Sequence, residues 1–452
     1  MTHTPAVAPG NTNSIWIAVA LGVLGVALLF LYRVGIRAEG TEDIVWFLKI
    51  VAAQVPLYLA AVWLSLRGKE SRLVLAVGLA LAALFRLSIL FAPPNLSDDI
   101  YRYVWDGRVQ AAGINPYRYI PADQNLRRLR DEEIYPKINR RESAPTMYPP
   151  IAEGVYFLTT RVSESVTWMK ATMVVFEAIA VWAIVQLLAS FGLARQRVLI
   201  YAWHPLTVWE FAGSGHVDAI AIAFIALALL ARRKNAAAVT GVMLACATLV
   251  KLFPGVLVGA LYKRWNWKMA LAFALIVVMA YLPYLSVGPG RALGYLPGYV
   301  TERGMISGEQ FFLLGVARRL FNMQVPALAY LVFCLLMLIA VSVWLMSQRQ
   351  RDDFAYLRGS LMIASLFMVL LSPHFAWYFA WLIPLLCFVP SLPVFYLTLS
   401  SFLLYLDWLY WTDSAVFRIK ALIFLPFFVL LATDVWRNRR SLSFAQSETA
   451  HL

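Results

Sequence analysis

The sequence predicts an all-α, polytopic membrane protein, and three observations predict it. Hydrophobic residues make up 61% of the 452-residue chain and charged residues 14%, against roughly 45–50% and about 25% in soluble domains. The mean hydropathy is +0.69. The apolar residues also gather into runs of about 15 to 25, close to the length a helix needs to cross a bilayer. So few charges cannot cover so much apolar surface in water, so lipid must solvate much of the chain. A soluble enzyme, a disordered chain and a fibrous protein are excluded.

The runs are 14–32, 45–66, 73–92, 167–190, 198–213, 217–231, 267–286, 326–347, 355–371, 375–389, 394–411 and 419–435, giving about 12 expected crossings. The first run lacks a basic leader and a small-residue cleavage site, so it reads as a retained helix. Residues 236–262 differ from the rest, because Lys251-Leu252-Phe253-Pro254 separates two apolar halves. Pro254 breaks the helix and the second half is too short to span. The segment is expected to be a re-entrant hairpin whose freed backbone faces protein or water.

Charge sets the expected orientation. Arg67, Lys69 and Arg72; Arg195 and Arg197; Arg232, Arg233 and Lys234; Lys263, Arg264 and Lys268; Arg349 and Arg351; and Arg437, Arg439 and Arg440 all fall on one side. Calling that side cytoplasmic places both termini inside. The expected organisation is N-terminal spans (1–92), an outer loop with interfacial helices (93–165), a core with the hairpin (166–286), a second outer loop (287–325), C-terminal spans (326–435) and a cytoplasmic tail (436–452). The net charge of +14 then reflects these loops, and no nucleic-acid partner is expected. Cys246, Cys334 and Cys387 sit apart in apolar runs, which argues against a disulfide framework or a zinc site. Gly288-Pro289-Gly290-Arg291 precedes no βαβ unit, so it is no nucleotide loop. No internal repeat is visible, which argues against an inverted-repeat transporter.

Chemistry-bearing residues gather at expected outer ends of spans. The first outer loop opens Ser97-Asp98-Asp99-Ile100-Tyr101-Arg102-Tyr103-Val104-Trp105-Asp106-Gly107. Paired acids there have three readings: a general base, oxygen ligands for a divalent cation, or anions at a helix N-terminus. Arg102 and Asp106 stand one turn apart and are expected to pair. Glu177, Glu210 and Lys251 are costly in lipid and so are functional candidates. His216 and Asp218 are close enough for a local hydrogen bond. Lys251 tops the hairpin, either snorkelling or holding a phosphate. His374 follows Pro373 at another outer boundary. Carboxylates beside His and Lys on one face make an acid–base site with phosphate anchors. Outside the cytoplasm a transferase needs an activated donor already in the membrane, and a polyprenyl-phosphate sugar fits.

Several blocks resemble bacterial GT-C glycosyltransferases, with the best match to the glycosyltransferase 87 group of polyprenyl-phosphate-mannose-dependent mannosyltransferases. They are Ser97–Gly107 with Ala112-Gly113-Ile114-Asn115-Pro116-Tyr117, Tyr148-Pro149-Pro150-Ile151-Ala152-Glu153, Trp203-His204-Pro205-Leu206, Glu210–Ala219, Leu249–Pro254, and Ser372-Pro373-His374 with Trp377-Tyr378. One departure is that three helices, rather than one, precede the acidic loop. The resemblance implies a GT-C fold and inverting transfer of a hexose, mannose by preference, from a β-linked polyprenyl-phosphate donor to a lipid or envelope glycan acceptor. It implies Asp99 as the base, with Asp98 as its alternative or as a metal or orienting partner. Lys251, His374 and Arg102 would face the donor phosphate. Tyr148, Glu210, His216, Asp218 and Asp106 would line the sugar pocket or hold the site. No cofactor is fixed, and a divalent cation stays open. The expected location is the bacterial cytoplasmic membrane with the site outside. A flippase for a lipid-linked sugar and a non-catalytic envelope-assembly subunit are the competing readings.

Overall fold

The structure is a computed structural model and describes residues 11–37, 43–263, 266–288, 291–295, 298, 301, 304–348, 353–410 and 412–449. Arg264, Pro289, Gly290, Arg349 and Arg351, weighed above, lie outside the described residues. Among the described residues every regular element is helical. The longer helices are α1 (Asn11–Gly35), α2 (Ile44–Arg67), α3 (Arg72–Leu90), α4 (Asp99–Ala111), α5 (Pro150–Thr160), α6 (Val166–Ser190) and α7 (Asp218–Arg233). They continue with α8 (Ala237–Thr248), α9 (Trp267–Tyr281), α10 (Phe312–Leu320), α11 (Ala327–Ser347), α12 (Ala355–Leu371), α13 (Leu392–Ser400) and α14 (Asp413–Thr449). α1 packs on α2 and α3, α6 on α7, α7 on α8, α8 on α9, and α4 on α5.

Seven helices among the described residues are long and apolar enough to cross a membrane. They are α1, α2, α3, α6, α9 with its extension to Val287, α11, and Ser414–Arg437 of α14. The chain is therefore a polytopic, all-α membrane protein, and seven of the 12 expected runs are long unbroken apolar helices. The other five runs form short or interrupted helices. α7 has 16 residues and is buried along almost its whole length. Segment 198–213 breaks at Trp203-His204-Pro205 and ends in a π-turn over Val208–Gly213. Segments 376–386 and 392–408 join short 3-10 and α turns around Pro384 and Pro393. Interruptions are tolerated here because protein surrounds them and meets the freed backbone groups.

The break at 198–205 illustrates this. Tyr58 Oη donates to the Ile200 carbonyl (2.8 Å), Thr207 Oγ1 to Tyr201 (3.1 Å) and Arg86 to Ala202 (2.7 Å). The same Arg86 guanidinium forms a two-point pair with Glu177, with Nη2–Oε1 at 2.6 Å and Nε–Oε2 at 3.1 Å. Glu177, a functional candidate on cost alone, is thus the counter-ion of a buried arginine that spans α3, α6 and the broken segment.

The expected hairpin is present. α8 ends at Thr248, the chain breaks through Leu249–Leu252, and a short 3-10 turn (Phe253–Leu257) leads into Val258–Leu261. The freed Leu249 carbonyl accepts the Ile151 and Ala152 N–H groups at 3.0 and 3.3 Å. These are first-turn donors of α5, which have no partner inside their own helix.

Glu177→Ala should leave Arg86 buried and uncompensated, at a cost of about 3–5 kcal/mol. The thermal midpoint in detergent should fall sharply, and the double substitution Arg86→Met with Glu177→Leu should recover much of it. An unchanged midpoint for the single substitution would show that the pair bears no part of the fold.

Candidate active site

The site is built at the junction of α3 with α4. Ser97 Oγ accepts the Asp99 backbone N–H (3.2 Å) and starts the helix, so neither acid is used as a cap. Asp98 stands at the N-cap position but makes no capping hydrogen bond. Instead Asn139, 40 residues after Asp99, donates its amide to Asp98 Oδ1 (3.1 Å) and to Asp99 Oδ1 (2.6 Å). The helix is held close to α5 at Gly107, where a Cβ would lie 2.5 Å from the Tyr156 carbonyl.

Asp98, Asp99, Asn139, Arg140, Tyr148 and Lys251 share a cavity of about 780 Å³ with Phe253, Phe375, Trp377, Tyr378 and Trp408. The lining is therefore both ionic and aromatic. Lys251 Nζ pairs with Asp218 Oδ2 (2.7 Å) and lies 4.4 Å from the Tyr378 ring centroid. The Tyr148 ring meets Tyr103 edge-on at 5.0 Å, and Tyr117 Oη fixes the Tyr148 carbonyl (2.7 Å).

Behind Asp99 lies a buried relay. His216 Nε2 stands 4.0 Å from Asp99 Oδ2, and its Nδ1 is 3.0 Å from Glu210 Oε2. Tyr405 Oη donates to Glu210 Oε1 (2.6 Å), and the imidazole stacks on Trp377 at 3.9 Å. Gly215 makes this fit possible. Its φ is +77°, and a Cβ would sit 2.3 Å from the Ile100 side chain. His216 and Asp218 do not bond each other as expected, because they serve Glu210 and Lys251 respectively.

Two expected phosphate contacts fall elsewhere. Arg102 pairs with Asp106 at 2.8 and 3.0 Å, as the spacing predicts, and also donates to the Ala144 carbonyl (3.1 Å). It is buried and does not line the cavity. His374 lies 3.8 Å from Asp407 and also does not line the cavity, although Phe375 beside it does. Asn139 and Arg140 line it instead, and nothing in their sequence context marks them. Asp106 belongs to a buried polar cluster. There Thr146 Oγ1 donates to Glu153 Oε1 (2.5 Å) and Gln110 Nε2 to Glu153 Oε2 (2.8 Å). This cluster anchors the strip that carries Met147, Tyr148 and Pro149 to the cavity wall.

The electrostatics set the carboxylates apart. Crowding by the cavity walls and then the charge of Asp99 raise the Asp98 pKa. Burial and the facing Asp106 raise Glu153 well above the usual carboxylate range. Among the described residues, no group of three or more His, Cys, Asp and Glu side chains is arranged to hold a metal ion.

Spanning helices, with a cavity lined by paired carboxylates and a lysine and a buried histidine behind one of those carboxylates, define an integral membrane protein with a polar internal site. Residues 10–267 match the MptA_B family, described as alpha-(1->6)-mannopyranosyltransferase, N-terminal domain. The match covers more than half of the chain, and the chain belongs to this family of mannosyltransferases. It takes in the segment from Asp98 to Lys251, whereas His374 falls beyond it. No curated protein and no solved structure matches the chain.

The raised Glu153 pKa carries a pH prediction. Its protonated form is favoured by folding, so the stabilisation is complete below the ordinary glutamate pKa of about 4.3 and is lost as pH rises through the higher folded value. Thermal midpoints of wild type should fall over that window, and Glu153→Gln should flatten the fall. Parallel curves for the two proteins would contradict a proton on Glu153.

Proposed function

We propose that the chain transfers mannose from a β-linked polyprenyl-phosphate donor to a hydroxyl of a lipid or glycan acceptor, at the outer face of the bacterial cytoplasmic membrane. The observation that carries this reading is the cavity itself. It joins two adjacent carboxylates to a lysine and an arginine, in a chain of a mannosyltransferase family. Such a donor brings its own membrane anchor and its own leaving group, so the reaction needs no nucleotide.

Asp99 is the base. Its Oδ1 is held by Asn139, and its Oδ2 lies on the side of His216. The acceptor oxygen attacks the anomeric carbon and forms the new C–O bond. The bond from that carbon to the phosphate oxygen breaks, and its electron pair leaves with polyprenyl phosphate. The acceptor proton passes to Asp99. Attack opposite the leaving group turns a β-linked donor into an α-linked product, which agrees with the α-(1→6) linkage in the family description.

Lys251 and Arg140 are the cations for the departing phosphate. Asp218 holds the Lys251 ammonium in place until the donor arrives. The His216–Glu210–Tyr405 relay fixes the imidazole beside Asp99, where it supports charge on that carboxylate or takes a proton from it. Tyr148 and the aromatic wall pack against the sugar. The basic loops at the far end of the helices support a cytoplasmic side there, which puts the cavity outside and both termini inside.

The test uses purified protein in nanodiscs with radiolabelled polyprenyl-phosphate-mannose and extracted membrane lipids. Wild type should move label to a new product. Asp99→Asn should lose about 10²- to 10⁴-fold of that rate with an unchanged thermal midpoint. Equal rates would remove Asp99 from the chemistry. Donor crossing sealed vesicles with no new glycosidic bond would favour the flippase reading instead.

A further inference from the structure

A second pocket lies at the opposite end of the helical core. α7 begins at Asp218 beside Lys251, and Arg232 stands 14 residues later, about 21 Å along the axis at 1.5 Å per residue. Around that end is a pocket of about 270 Å³ lined by Arg232, Asn235, Thr240, Lys263, Asn266 and the apolar Met269, among others. It sits where the foot of α7 turns into α8, against the end of the hairpin's second half and the start of α9.

The lining has the chemistry of a phosphate site. It carries two cations and two carboxamides and, among the described residues, no Asp or Glu. Arg232 is only 8% exposed. Its Nε is tied to the Leu261 carbonyl at 2.9 Å, and its guanidinium rests 5.3 Å from the Tyr356 ring centroid. A charged group held this far from water marks a place where an anion gains most. Lys263 Nζ reaches Asn235 Oδ1 at 3.2 Å, so the second cation is directed across the same space. The nearby Arg233 pairs with Asp353 and is not among the lining residues.

The surroundings favour a phosphate carried by a lipid. α9 leaves the pocket at Met269 and presents Trp267, Leu271, Leu275 and Val278 outward, all close to half exposed or more. α9 is also among the least covered of the spanning helices, with 6% of its apolar window buried. A headgroup in the pocket would lay its acyl chains along this face. Basic pockets between spanning helices are suited to anionic headgroups.

We infer that this pocket binds the phosphate ester of an anionic membrane lipid and so braces the foot of the re-entrant hairpin. The site is separate from the transfer chemistry and does not depend on it.

The test compares full-length wild type with Lys263→Gln and Arg232→Gln, purified in detergent. Thermal midpoints are read with added phosphatidylglycerol, phosphatidylcholine or inorganic phosphate, and retained lipid is counted by native mass spectrometry. Phosphatidylglycerol should raise the wild-type midpoint by several degrees and be retained at several-fold higher occupancy than in either variant. Phosphatidylcholine should act equally on all three proteins. A response to inorganic phosphate that wild type shows and the variants lack, without a lipid preference, supports the phosphate site and assigns it a soluble ligand. Lys263→Gln keeps a partner for Asn235, so it separates lost binding from lost folding if Arg232→Gln is unstable. Equal responses of wild type and Lys263→Gln to phosphatidylglycerol and phosphate alike would overturn the inference.

Discussion

The site depends on one carbonyl. Where the hairpin breaks at Leu249, the membrane environment demands a partner for the freed oxygen, and the first N–H groups of α5 supply it. That contact joins two parts of the chain that sequence keeps about a hundred residues apart. On one side of it stand Tyr148 and Pro149; on the other, Lys251 follows two residues after the break. Both parts line the cavity. An unbroken helix at 236–262 would need no such contact and would carry Lys251 along a spanning face.

The same economy runs through the rest of the protein. Several long basic side chains in the apolar region end on carbonyls that interrupted or terminating helices leave open. Arg86 reaches Ala202, Lys170 reaches Ile89 and Ala92, and Lys420 reaches Gln310 and Ser372. Residues that look costly in lipid are thus what permits short, bent helices where a simple bundle would have straight ones. The bends bring His216, Asp99 and Lys251 to one end. Lys251 and Arg140 differ from this structural group in lining the cavity.

The apolar runs made the membrane class legible, and Pro254 together with the too-short second half made the hairpin legible. Asp98-Asp99 and Lys251 could be found because charges beside apolar runs are conspicuous. Lengths were less legible, since a run such as 198–213 reads as one span until Pro205 and its buried partners are seen together. Glu177 was visible, but its partner Arg86 lies 91 positions earlier and carries no local signal. Asn139 and Arg140 were missed for a like reason: a polar loop residue gives no sign of the cavity it will meet. Of the two histidines considered, only the fold separates His216, behind Asp99, from His374, beside Asp407.

The central claim is that one cavity holds both the donor phosphate, at Lys251, and the base, Asp99. It is tested most directly by a cryo-electron microscopy structure in nanodiscs with a non-transferable phosphonate analogue of polyprenyl-phosphate-mannose. The account predicts the phosphonate within ion-pair distance of Lys251 and Arg140, with the anomeric carbon turned toward Asp99. A donor seated outside this cavity, or one with its phosphonate out of reach of Lys251, would contradict it.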